Sequence, residues 1–151
     1  MSFRPTHEIL DEIADFHRAI QAYYRDLRDR ATNARNQLFL NYLIGYEEAI
    51  QGGIIEFQER GPDRIKRTWF QYTPGQRLAD AVHKADINPD DPLDDLTGAV
   101  LDIDQALLDS YQQLADGSRS DDMRDMFTSL LNRRLRKRKD LVFEIQRLQG
   151  L

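Results

Sequence analysis

Apolar side chains return every three or four positions in four separate stretches of this chain, and strict alternation over the length of a strand is absent. A period near 3.6 residues lines such positions along one face of a helix, and that face can be buried only against other helices. An all-α fold is therefore expected. The first stripe holds Ile9, Ile13, Phe16, Ile20, Tyr24 and Leu27, with Pro5 and Thr6 at its start. The second runs from about Asn33 to Arg60 and holds Leu40, Leu43, Ile44, Ile54 and Phe57; Gly61 is expected to end it in a left-handed cap, and Pro62 cannot continue it. The third holds Leu96, Val100, Ile103, Leu107, Tyr111 and Leu114, and Asp91 before Pro92 reads as a side-chain N-cap followed by proline at the first helical position. The fourth holds Met123, Met126, Phe127, Leu130, Leu141, Ile145 and Leu148. Ser120 reads as its N-cap, and Asp121 and Asp122 face the positive end of its dipole.

The connections are short within each pair of helices, and about 30 residues separate the second helix from the third. So long a link allows one crossover in the bundle, where an up-down-up-down arrangement needs only tight loops. A single domain over 1–151 is expected, as a hairpin at 6–60, a crossover at 61–90 and a second hairpin at 91–149. Within the crossover, Leu78, Ala81, Val82 and Ala85 after Pro74 read as a short extra helix, and Trp69, Phe70 and Tyr72 are expected to cap the open end of the core. The chain has no cysteine, which excludes disulfides, thiolate metal sites and cysteine nucleophiles. No apolar run approaches the roughly 20 residues of a membrane span, and the first residues lack a secretory pattern, so a cytoplasmic location is expected.

Six of the seven residues at 133–139 are cationic, in a chain of net charge -5. Seven residues make about two helical turns and cover every face of a helix, so part of this run must point into the core. A buried cation without a partner costs several kcal/mol, which calls for carboxylates opposite it.

Shifting the chain by 87 residues lays its halves over each other without a gap: Ile9 on Leu96, Ile13 on Val100, Tyr24 on Tyr111, Leu40 on Phe127, Leu43 on Leu130 and Ile54 on Leu141. This is the pattern of a duplicated helical hairpin. With that repeat, the chain resembles the ferritin-like superfamily and, within it, the rubrerythrin-type four-helix bundle. There each hairpin carries a Glu seven residues before an aromatic-Tyr pair, then a tight turn and an apolar run into Glu-x-x-His. The resemblance covers 6–60 and 91–149. It implies an inward-facing set of carboxylates and histidines around two metal ions.

At the positions matching that set, His17 and Asp104 stand where the family has Glu, and Glu47 keeps the acid of the second helix while Ile50 replaces its His. Arg134 and Lys137 occupy the corresponding place in the fourth helix. Cations repel a metal ion and have no lone pair to offer it, so neither metal nor cofactor is expected. His17, Glu47 and Asp104 facing Arg134 and Lys137 are expected instead to form a buried ion network at the bundle centre.

Other signals are weaker. Glu48 and Gln51 make a degraded metal motif one residue out of phase, His7 and His83 lie far from any partner, and no phosphate loop or nucleophile elbow is present. Gly52 and Gly53 are expected to allow close helix packing or a local kink. Arg133, Arg136 and Lys139, taken as outward, could join Arg64, Lys66 and Arg67 in an anion-binding surface, though a pI near 5.2 argues against general nucleic-acid binding. The simpler expectation pairs these cations with Asp94, Asp95, Asp102 and Asp109. Tyr23 or Tyr42 with Phe39 is the expected seam of a homodimer. The sequence thus favours a metal-free binding or structural protein, homo-oligomeric, with no catalytic residues. The alternative is a divergent iron or manganese oxidoreductase that uses Glu47, Asp104 and His17 as a reduced site.

Overall fold

The computed structural model describes residues 3–61, 69–71, 82 and 86–151. Among these it contains four long helices, α1 (Thr6–Arg30), α2 (Ala34–Arg60), α3 (Leu93–Asp116) and α4 (Asp121–Gln149), and two three-residue strands, β1 (Phe3–Pro5) and β2 (Trp69–Gln71). The strands pair antiparallel, with Arg4 opposite Phe70. The fold is an all-α four-helix bundle.

Asn33 caps α2 by accepting the Asn36 N–H, and Ser120 caps α4 by accepting the Met123 N–H. Two expected caps differ. Helix α3 starts at Leu93 after Pro92 with no side-chain cap, because the Asp91 carboxylate is turned back onto the Asn88 N–H. Gly61 has a φ of -62°, so it is extended and not left-handed. Glycine is still required there, since a Cβ would stand 2.4 Å from the Phe57 carbonyl oxygen.

Hydrogen bonds at one end of the bundle settle the order of the helices. Asp90, just before α3, accepts from the Thr32 and Asn33 N–H groups between α1 and α2, and these backbone donors hold its carboxyl below the ordinary range. Asn36 at the start of α2 donates to the Pro89 and Asp91 carbonyls. Gln149 at the end of α4 reaches Asp94 at the start of α3. Helices α2 and α3 therefore begin at the same end and run parallel, in an up-down-down-up bundle. Apart from Val82, the extra helix expected within 73–85 lies outside the described residues, as do Tyr72 and the side chains of Trp69 and Phe70, on which the expected capping depends.

The buried apolar residues form two clusters. One, around Tyr24, Phe39, Leu43, Leu96 and Ile145, fills the end where α3 begins; the other, around Ile9, Ile13, Leu114, Met123 and Phe127, fills the opposite end. Phe39 is wholly inside the first cluster, which removes it from any dimer seam. Tyr42 stacks on Tyr46, and the Tyr23 hydroxyl accepts the Ile87 N–H.

Candidate functional site

A polar layer lies at the middle of the bundle, where the two apolar clusters meet. Each helix contributes to it: His17 and Gln21 from α1, Tyr46, Glu47 and Gln51 from α2, Asp104 and Tyr111 from α3, and Arg134 from α4. All eight are buried, and Arg134 is the largest fully buried side chain described, at 0% exposure.

The Arg134 guanidinium joins the two carboxylates. Its Nη2 lies 2.8 Å from Glu47 Oε1 and 2.7 Å from Asp104 Oδ1, while its Nε donates to the same Asp104 oxygen at 2.9 Å. The planar fork of a guanidinium suits such simultaneous contacts, where a lysine would supply only a point charge. Tyr46 donates to Asp104 Oδ1 at 3.1 Å, and its ring lies 5.7 Å beneath the guanidinium carbon. On the far side, His17 Nδ1 stands 2.8 Å from Glu47 Oε2 and His17 Nε2 stands 2.9 Å from the Tyr111 hydroxyl. A carboxylate can only accept, so Nδ1 carries the proton facing Glu47, which leaves Nε2 of a neutral ring to accept from Tyr111. Gln21 donates to Gln51 beside this pair.

Burial alone pushes the Glu47 carboxyl up, but the adjacent Arg134 charge and the His17 hydrogen bond overcome it and bring it down to about 2. Burial likewise disfavours the charged form of Arg134, and Glu47 and Asp104 reverse that, holding the guanidinium well above its usual value. The Tyr24 hydroxyl is raised by burial and by the Glu47 carboxylate. The centre is thus a chain of charge-assisted hydrogen bonds running from Tyr111 through His17, Glu47, Arg134 and Asp104 to Tyr46.

Four of the five expected network residues, His17, Glu47, Asp104 and Arg134, are brought together. Lys137 is not. It is half-buried and makes no ion pair among the described residues, and Arg138 takes its part with Nη1 3.5 Å from Asp104 Oδ2. Helix geometry explains the difference: at 100° per residue, position 138 lies about 40° from Arg134 around the helix and 137 lies about 60° away on the other side. The acceptor Asp104 is on α3, toward which 138 turns. Two guanidinium groups then face two carboxylates. Of the two tyrosines that complete the chain, Tyr111 was legible only as a stripe aromatic and Tyr46 was not singled out; their hydroxyls carried no sequence signal.

Arg133 also departs from expectation. It is half-buried, donates Nη2 to the Ala49 carbonyl and packs on Gly53, where a Cβ would meet its Nη1 at 3.0 Å. Close packing at Gly53 is therefore real, with an arginine as the neighbour. The surface pairing expected for the basic run is absent among the described residues. Asp94 accepts from Gln149 and Asp109 from Gln105, while Arg138 binds inward. Gln51 is hydrogen-bonded within the layer and Glu48 is exposed, so the out-of-phase motif does not converge. Arg64, Lys66, Arg67 and His83 lie outside the described residues.

Among the described residues, no group of three or more His, Asp or Glu is arranged to hold a metal ion. The guanidinium of Arg134 occupies the space between the two carboxylates, and that donor set with a cation inside it does not suit a metal. No helix described is long and apolar enough to cross a membrane. No protein-family model, curated protein or solved structure matches the chain.

Proposed function

We propose that the protein is a ferritin-like, rubrerythrin-type bundle in which a buried ion network stands in place of a di-metal centre, and that it serves as a homo-oligomeric binding or structural protein with no redox chemistry of its own. The observation that carries this reading is Arg134, fully buried and hydrogen-bonded to both Glu47 and Asp104. Two further features support it. The up-down-down-up order with one long return is the connectivity of ferritin-like bundles. His17, Glu47, Asp104 and Arg134 also fall at the positions where the sequence resemblance places ligands.

A guanidinium fixed between the acids supplies the positive charge that metal ions supply in such a bundle, without an open coordination position or an accessible redox state. Elemental analysis after anaerobic loading with Fe(II) and with Mn(II), with melting temperature followed alongside, tests this. No stoichiometric metal and an unmoved melting temperature are expected. One or two ions per chain with a raised melting temperature would overturn it in favour of the oxidoreductase.

A further inference from the structure

Helices α3 and α4 carry opposite charges on the faces that flank their common groove. Helix α3 contains six Asp and neither Lys nor Arg; Asp102, Asp109 and Asp116 are exposed on its outer side, and Asp109 lines the groove. The same side of α4 presents Leu135, Lys139, Val142 and Phe143, with Leu135 43%, Val142 38% and Phe143 68% exposed. Two open clefts of about 410 and 370 Å³ run along this face and share Leu135 and Arg138. Apolar residues at positions 135, 142 and 143 form a helical stripe one step away from the core-facing one, and a second stripe needs its own cover. Neither Lys139 nor Asp102 has an ion-pair partner among the described residues.

From this arrangement we infer that the α3–α4 face binds a second copy of the same chain, about a two-fold axis parallel to the bundle. This deepens the homo-oligomeric part of the function proposed above, and it replaces the seam expected at Phe39.

The choice of partner and axis follows from charge and register. The contacts Gln149 to Asp94 and Arg138 to Gln105 set the register of the antiparallel pair, and place Lys139 level with residue 104 and Phe143 level with residue 100 of α3. A two-fold parallel to the helices keeps every residue at its height and lays α4 of each copy over α3 of the other. Lys139 then stands two residues, about 3 Å, along from Asp102 of the second copy, within reach of its long side chain. Phe143 meets Gly98, around whose absent Cβ there is open space, and the half-buried Leu101. A two-fold perpendicular to the helices would instead lay α4 on α4. It would also lay the carboxylates of α3 against those of its own counterpart, and like charges so placed oppose association.

Sedimentation velocity over a concentration series tests the inference. The unmodified protein is expected to dimerise, more weakly as salt rises. Lys139→Glu and Asp102→Lys should each weaken the dimer by roughly tenfold or more, because each brings like charges together at both symmetric contacts. The double variant, and an equimolar mixture of the two single variants, should regain association. Phe143→Asp should leave a monomer. All these positions are exposed, and unchanged circular dichroism and melting would establish that each variant folds. A wild-type protein that stays monomeric would overturn the inference and leave the face to a different partner. So would a dimer indifferent to these substitutions, or charge reversals that do not rescue each other. None of these outcomes bears on metal loading, so the metal-free centre and the dimer face stand or fall separately.

Discussion

The two hairpins place polar residues at equivalent positions of their 87-residue repeat and give them opposite roles. In the first, α1 supplies a base, His17, and α2 an acid, Glu47; in the second, α3 supplies an acid, Asp104, and α4 a base, Arg134. Each hairpin therefore has an internal pair, at 2.8 Å between His17 and Glu47 and 2.9 Å between Arg134 and Asp104. The two pairs then satisfy each other, through Arg134 to Glu47, Tyr46 to Asp104 and His17 to Tyr111. Identical halves would have set like charges against like at the centre. The complementary charges of the two halves let a polar layer persist at the bundle centre.

The pairs also differ in what their loss should do. Arg134 serves both carboxylates, so Arg134→Ala leaves two buried acids without their cation and should cost about 3 to 5 kcal/mol of stability in urea unfolding. The exposed Arg136→Ala should stay within about 0.5 kcal/mol. Similar small losses for both would mean that the guanidinium is not the hub of the layer.

Acid should separate the hairpins next. The folded Glu47 carboxyl titrates at about 2, below its ordinary value of 4.5. A depressed carboxyl contributes stability that is fully present above pH 4.5 and is lost as the pH falls toward 2. In Glu47→Gln that part of the acid slope should flatten, while the unmodified protein keeps it. Identical slopes in the two proteins would show that the first hairpin's acid is not held by Arg134 and His17.

The smallest expected difference lies at the edge of the layer. Arg138→Ala removes a partly exposed cation 3.5 Å from Asp104 and should cost under about 1 kcal/mol. Lys137→Ala should cost less still. A larger loss for Lys137 than for Arg138 would restore the inward position expected from sequence alone.

Much of the bundle was legible beforehand. The four stripes mark four helices because burial repeats with the helix period, and the long 61–90 link left room for the crossover. Ser120 was readable as a cap since a side-chain oxygen before a helix has few other uses, whereas Asn33 was read only as the approximate start of the second helix. Asp91 was misread because its carboxylate had a nearer donor in the Asn88 N–H, a choice that local sequence does not reveal. The site was legible in part for a similar reason. The repeat pointed to His17, Glu47, Asp104 and Arg134, whereas Arg138 was missed because position 137 matched the family spacing and the rotation of α4 toward α3 was not yet known.

The sequence by itself determined that this chain makes helices, how many, and that some cations of the 133–139 run must enter the core, since a run longer than one turn has no single outward face. Only the tertiary structure decided which cation became the hub and which stayed at the rim. It likewise left Asp102 of α3 and Lys139 of α4 without an ion-pair partner among the described residues, because those partnerships depend on helix rotation and register, to which a one-dimensional pattern of charges is blind.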